Sequence, residues 1–187
     1  MKSLSRLGTR PASLPLAADD ILEFHAARLL LLMHVCGTAG RIDGLTKMAK
    51  LDFFSRYPDF FDAARAATEP DAQSAHVDRS EAVESTMVRH HYGPWDKRYY
   101  QVLAHLEARQ LITVAKVKNS YQIALSSEGA EKAKALAKRP SFATLIERQK
   151  AVKKTFGGKS GTALKNLIYQ LFDEEVGKRT LGQVITK

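Results

Sequence analysis

A mainly α-helical chain carrying one small β-hairpin is what this pattern of residues specifies. Apolar residues recur at helical spacing through most of the chain. A single β-rich stretch, Leu111 to Leu125, folds back on itself at Lys118–Asn119–Ser120. Between Tyr92 and Gly129, YGPWDKRYYQVLAHLEARQLITVAKVKNSYQIALSSEG, a turn, a helix, that hairpin and a helix start follow with almost no spare residues. That order predicts a winged helix-turn-helix core, and the residues after it predict a C-terminal helical extension. The expected divisions are a disordered tail at 1–18, a winged-helix domain at 19–138 with a loop inserted near 68–80, and a basic helical extension at 139–187.

Each element has a local reason. Asp19 and Asp20 place negative charge at a helix start. Ile21, Phe24, Ala27 or Arg28, Leu31, Leu32 and Val35 then recur at helical spacing, and Leu29, Leu30 and Met33 widen the face, so this helix is expected to be buried on most sides. Gly37 and Gly40 end it. A second helix follows Gly44, with Leu45, Met48, Leu51 and Phe54 or Ser55 on one face, and Tyr57–Pro58 stops it. Asp59 to Ala67 reads as a short third helix. Thr68 to Arg79 is polar and aperiodic and reads as an inserted loop. Glu81 to His91 fits a helix or a strand.

Gly93–Pro94 reads as a turn. Tyr99, Val102, Leu103 and Leu106 give the next helix one core face. On the return strand of the hairpin, Tyr121, Ile123 and Leu125 alternate. Ser126 or Ser127, with Glu128, caps the helix that ends by Arg139–Pro140. Ser141 is expected to cap a helix with Phe142, Leu145, Ile146, Val152 and Phe156 on its apolar face. Gly157–Gly158 breaks it. A last helix from about Gly161 carries Leu164, Leu167, Ile168, Leu171 and Phe172 on one stripe, which must be buried on its own domain or on a partner, and these five are read as partner-binding residues.

Charge is unevenly placed along this chain of 187 residues with net charge +9. Residues 19–130 hold 13 bases against 15 acids, whereas 131–187 hold 13 bases against 5 acids. Attraction to phosphate is therefore expected to concentrate behind the winged helix. One cysteine, Cys36, excludes a disulfide framework within the chain and suits a reducing cytoplasm. The longest apolar run, around Leu29 to Met33, is broken by Arg28 and His34 and is too short to span a bilayer. The N-terminus lacks an apolar signal core. Its acid-free, Arg- and Ser-bearing start shares features with an organellar transit peptide but reads as a mobile tail. A cytoplasmic protein without membrane contact is the expectation.

The enzymatic motifs fall short. FGGKSGT, residues 156–162, ends like a phosphate-binding loop, but Lys153 stands where the loop needs its first glycine, and a helix rather than a strand leads in. It reads as a glycine turn with Ser160 or Thr162 as the next N-cap. His90 and His91 are adjacent and diverge, and His25 and His34 are about 13 Å apart by helical rise, too far to share a metal. Cys36 reads as a small buried thiol. No catalytic residue, metal or cofactor is expected, and Asp173–Glu174–Glu175 reads as a solvated face.

Two binding surfaces are candidates. In a DNA-reading winged helix, the helix before the hairpin enters the major groove. Here it presents Lys97, Arg98, Gln101, His105 and Arg109, with Lys116, Lys118 and Asn119 on the wing. Asp96, Glu107 and the near-neutral module weigh instead toward protein docking, with Tyr100 and His105 as partner-binding residues. The second surface is basic: Arg139, Lys150, Lys153, Lys154 and Lys159 suit non-specific contact with double-stranded DNA.

YGPWDKRYYQVLAHLEARQLI, the hairpin and LSSEGAEKAKAL, taken with GRIDGLTKMAKLDFFSRYPDFF upstream, carry a family resemblance over about residues 21–138. The combination resembles the winged-helix middle component of ABC-three-component, Lamassu-type anti-phage defence systems. The resemblance implies a winged helix and a non-catalytic adaptor that links an SMC- or Rad50-like ATPase subunit to an effector subunit, commonly a nuclease. It brings no active-site residues, and the basic C-terminal helices lie outside it. The alternative is a stand-alone winged-helix transcription regulator that dimerises through its first and last helices.

Overall fold

The structure, a computed structural model, describes residues 21–69 and 86–185. The expected tail at 1–18, the Asp19–Asp20 helix start and nearly all of the expected loop near 68–80 lie outside them. The described elements run in the order α1 (Leu22–Cys36), β1 (Arg41–Asp43), α2 (Leu45–Arg56), α3 (Pro58–Thr68), β2 (Val88–His90), β3 (Gly93–Trp95), α4 (Tyr99–Ala108), β4 (Ile112–Val117), β5 (Ser120–Leu125), α5 (Ser127–Ala137), α6 (Ala143–Phe156) and α7 (Gly161–Leu171). The fold is mainly α with a small β component. None of its described helices is long and apolar enough to cross a membrane.

Helix α2 is the centre. Its nine residues Met48 to Arg56 are all buried, where one apolar face was expected. The reason is that α1, α3, α6 and α7 all pack on it, together with the β2–β3 hairpin. Leu51 and Phe53 fill the middle, and Phe54 lies 4.6 Å from the Phe156 ring of α6. Tyr57 ends the helix, and Pro58 starts α3 at the first position, where a missing N–H costs nothing. Helix α1 is buried on most sides, as its apolar run predicts, and Gly37 closes it by donating to Met33 O at 3.0 Å.

The main sheet has strand order β1-β5-β4. Arg41 to Asp43 runs antiparallel to β5 with Ile42 opposite Ile123, and β4 and β5 meet at the Lys118–Asn119 turn with Val117 opposite Ser120. Ile42, Ile112 and Ile123 face the core. The α4 positions expected inside, Tyr99, Val102, Leu103 and Leu106, are all buried. Ser126 caps α5, its Oγ accepting from Gly129 N at 2.9 Å, and Ser160 caps α7, accepting from Ala163 N at 3.1 Å.

Three expectations need correcting. The turn expected at Gly93–Pro94 sits at His91–Tyr92, and Gly93–Pro94 belongs to β3. Gly93 takes φ +91°, which a side chain rarely adopts, and Pro94 stands opposite Arg89, whose own N–H and C=O turn outward to Gln183 O and Gly182 N. A proline at that register position breaks no ladder bond. Ser141 does not cap α6, because a 3-10 turn, Pro140–Phe142, comes first and puts Phe142 at the cap position. The stripe on α7 is not free for a partner: Leu164, Ile168 and Phe172 are buried in the chain's own core, Leu167 and Leu171 are partly buried against it, and Phe172 meets Phe60 of α3 at 4.7 Å.

The least expected feature is charge inside the core. Arg28 of α1 (1% exposed), Asp52 (0%) and Arg56 (6%) of α2, and Asp96 just before α4 (2%) meet together. Arg28 Nε lies 3.4 Å from Asp52 Oδ1, and Arg28 Nη2 lies 3.3 Å from Asp96 Oδ2. Arg56 Nη1 donates to Asp96 Oδ2 at 3.0 Å. The Tyr99 hydroxyl donates to Asp52 Oδ2 at 2.7 Å. Two positive and two negative side chains offset one another. Burial alone would push the Asp96 carboxyl up, but the Arg98 backbone N–H, Arg56 and Arg28 outweigh it and hold the carboxyl below its ordinary value.

Asp52→Ala leaves two buried guanidinium groups facing one carboxylate. It should lower unfolding stability by about 3–5 kcal/mol, whereas Glu131→Ala on the exposed face of α5 should stay within about 0.5 kcal/mol. Chemical denaturation of both variants checks this, and a small effect at Asp52 would refute a dry, paired cluster. Because the folded Asp96 carboxyl is depressed, its share of stability is present above the unfolded carboxylate range and is lost as pH falls through the folded value.

Candidate recognition grooves

Helix α4 packs on α1 and β4, and its faces open onto two different grooves. Tyr100 and His105 are five residues apart, so they project from different sides of the helix.

The first groove has a volume of about 480 Å³. The starts of α2 and α7, the turn of the β2–β3 hairpin, Tyr100 and the β4–β5 turn at Asn119–Tyr121 line it. Gly161 lets α7 start here, since a Cβ would come within 2.8 Å of Lys47 N. The walls are aromatic. The His90 ring stacks on Trp95 at 5.2 Å, Trp95 meets Tyr100 at 5.7 Å, and His90 meets Tyr92 at 6.5 Å. Trp95 and Tyr99 pack beneath, with ring centres 5.0 Å apart. Tyr92, Tyr100 and Tyr121 stay exposed at 55%, 63% and 42%. The one carboxylate among the lining residues, Asp43, is paired with Arg41 at 3.1 Å.

The second groove, of about 470 Å³, lies between α1, α4 and α5. Ala26, Leu30 and Leu106 form its floor, and Glu23, Glu128, Arg109, Lys132 and Arg139 its rim, with the half-buried His105 on the wall.

The remaining candidate residues divide by place. Gln101, Lys116 and Lys118 are exposed, and Arg98 is half-buried with its backbone N–H held by Asp96 Oδ1 at 2.9 Å. Lys150, Lys153 and Lys154 are exposed on α6 at helical spacing that puts them on one face. Arg139 is exposed before α6, and Lys159 is half-buried between α6 and α7. Two acids that weighed against DNA reading are otherwise employed. Asp96 is inside, and Glu107 Oε1 accepts from Val114 N at 3.0 Å, closing part of the free edge of β4. Tyr92 and Tyr121 are further lining residues that the sequence pattern does not mark as a site. The signal for Tyr121 was its place in the alternation with Ile123, which reads as core, whereas the sheet ends before it can be covered.

The chemically unusual groups face inward. Burial pushes the Cys36 thiol up to about 12, and its Sγ donates to Gln149 O at 3.3 Å. Among the described residues, no group of three or more His, Cys, Asp or Glu side chains is placed to hold a metal ion. Helix α6 leads into the FGGKSGT turn, so no strand precedes it. Lys50 is fully buried and donates to Pro94 O at 2.8 Å, and burial, with Lys165 nearby, lowers its ammonium to about 7. No protein-family model, curated protein or solved structure matches the chain.

A lysine whose folded value lies near 7 and whose unfolded value is ordinary penalises the native state at low pH. The sign follows: the folded state binds fewer protons between those values, so Lys50 makes stability rise from about pH 7 towards about pH 10. Lys50→Met removes that slope. Denaturation curves across this range, compared with the unsubstituted chain, test it, and an unchanged slope would show the ammonium to be solvated.

Proposed function

We propose that this chain is a winged-helix adaptor: a non-catalytic subunit that docks onto other proteins and touches duplex DNA without reading its sequence. The winged-helix reading is supported by the order α1, β1, α2, α4, β4, β5 and by the sheet order β1-β5-β4. In this reading β4 and β5 are the wing. Helix α3 and the β2–β3 hairpin are an insertion between the second and third helices of the core, and α6 and α7 brace α2 from behind.

The observation that carries the docking role is the groove beside α4. Its apolar floor and its rim of both charge signs have the make-up of a protein interface rather than of a phosphate track. The exposed α6 lysines supply the non-specific DNA contact, favoured by counterion release. The resemblance to the middle component of Lamassu-type systems fits this division of labour and names the partners: an SMC- or Rad50-like ATPase and an effector. The role is cytoplasmic in that setting.

Co-expression with the proteins encoded beside it is the test. The chain should co-purify with an ATPase and an effector, and Arg109→Glu combined with Lys132→Glu should weaken that association by at least about tenfold, since like charge across an interface is costly. Binding to random duplex should fall steeply with salt. A chain that purifies as a lone dimer and prefers one operator over random duplex by orders of magnitude would instead be a transcription regulator.

A further inference from the structure

We infer that the aromatic groove between the wing and the starts of α2 and α7 is a binding site for single-stranded nucleic acid. This inference stands independently of the adaptor reading, which concerns the groove on the other side of α4.

Protein sites for single strands combine flat aromatic faces for bases with a positive border for the backbone. Both are present here. Tyr92, His90, Trp95 and Tyr100 form a continuous aromatic series, and Tyr121 stands exposed on the wing beside it. Tyr92, Tyr100 and Tyr121 are exposed to water, whereas Trp95 is buried beneath them and supports the series rather than offering a face. A volume of about 480 Å³ admits an unstacked nucleotide but not a duplex.

The border is suited to phosphate. Lys47 lines the groove with its ammonium held on Gly157 O at 2.8 Å, and the exposed Lys118 adjoins the lining residue Asn119. Asp43, the carboxylate among the lining residues, is already offset by Arg41. Helix α2 opens into the groove with no side-chain cap at Gly44, which adds the partial positive charge of its first turn to the lysines. Base stacking here needs no hydrogen-bond code, so the site would accept strands with little sequence preference. Duplex DNA keeps its bases inside the stack and cannot use these rings. It remains a ligand for the α6 lysines alone.

Fluorescence anisotropy with the full chain tests this, using a labelled oligothymidylate of about ten nucleotides, a span within known single-strand site sizes. A random duplex and free thymidine monophosphate are the comparisons. The oligothymidylate should bind more tightly than either at physiological salt. Tyr100→Ala with Tyr121→Ala should weaken its binding by about tenfold or more and leave duplex binding unchanged. Tyr100→Phe with Tyr121→Phe should restore it, because the ring and not the hydroxyl is used. The exposed positions keep both variants folded, and a melting curve checks that. Undiminished strand binding by the alanine variant, or an equal loss of duplex binding in it, overturns the site. Tighter binding of thymidine monophosphate than of the oligomer would make it a free-nucleotide pocket and also overturns it. Loss of partner association without loss of strand binding would reassign the groove to protein.

Discussion

Arg28, Asp52, Arg56 and Asp96 meet where α1, α2 and the start of α4 touch, out of reach of water. Each ionised group alone in that place would cost several kcal/mol of lost hydration. Together they offset one another, but only in one arrangement. Arg28 must reach both aspartates, Arg56 must reach Asp96, and the Tyr99 hydroxyl must reach Asp52. Apolar packing tolerates small slides of one helix on another, and this set of contacts does not. It ties the first turn of α4 to α1 and α2, and the rest of the surface follows from that pose.

The consequence is felt on both sides of α4. Once Tyr99 is fixed inside, Tyr100 must point to the side of the β4–β5 turn, and His105, Leu106 and Arg109 to the α1 and α5 side. The hairpin β2–β3 is held by a second buried polar contact, Lys50 to Pro94 O, and by the C-terminal segment, which pairs Val184 with Val88. Ile185 N donates to Met87 O at 2.9 Å, so the end of the described chain closes the hairpin's open edge. The aromatic series on that hairpin is thereby anchored at its base while its tyrosines remain open. Two grooves of similar volume and different chemistry result from one helix held rigidly between them.

Much of this was legible in the residues, and the exceptions share a cause. Helical spacing located the core face of α4, and local chemistry located the caps Ser126 and Ser160, because those signals depend on neighbours in sequence. Arg28 broke an apolar run and so read as a boundary of hydrophobicity. It lies instead at 1% exposure, because its partners Asp52 and Asp96 are 24 and 68 residues away in sequence. Asp96 counted as surface charge for the same reason. The stripe on α7 was ambiguous between the chain's own core and a partner until Phe60 and Phe172 were seen together. The strand-like pairing of residues 182–185 has no periodic signature at all, since short edge pairing is set by the neighbour it finds. Of the sites, the tyrosines were only partly legible: Tyr100 stood off the core stripe, whereas Tyr121 followed the alternation of a covered strand.

A double-mutant cycle on Arg28→Met and Asp96→Leu, followed by chemical denaturation, tests the role of the buried charges most directly. Each single change leaves an unbalanced charge in the core, and the double change leaves the balanced pair of Arg56 and Asp52. The double variant should therefore be more stable than the sum of the two losses allows, by about 1–3 kcal/mol, the size expected of side chains in one ion-pair network. Losses that simply add would contradict the account, because they would mean that the two side chains do not hold α4 in place through each other.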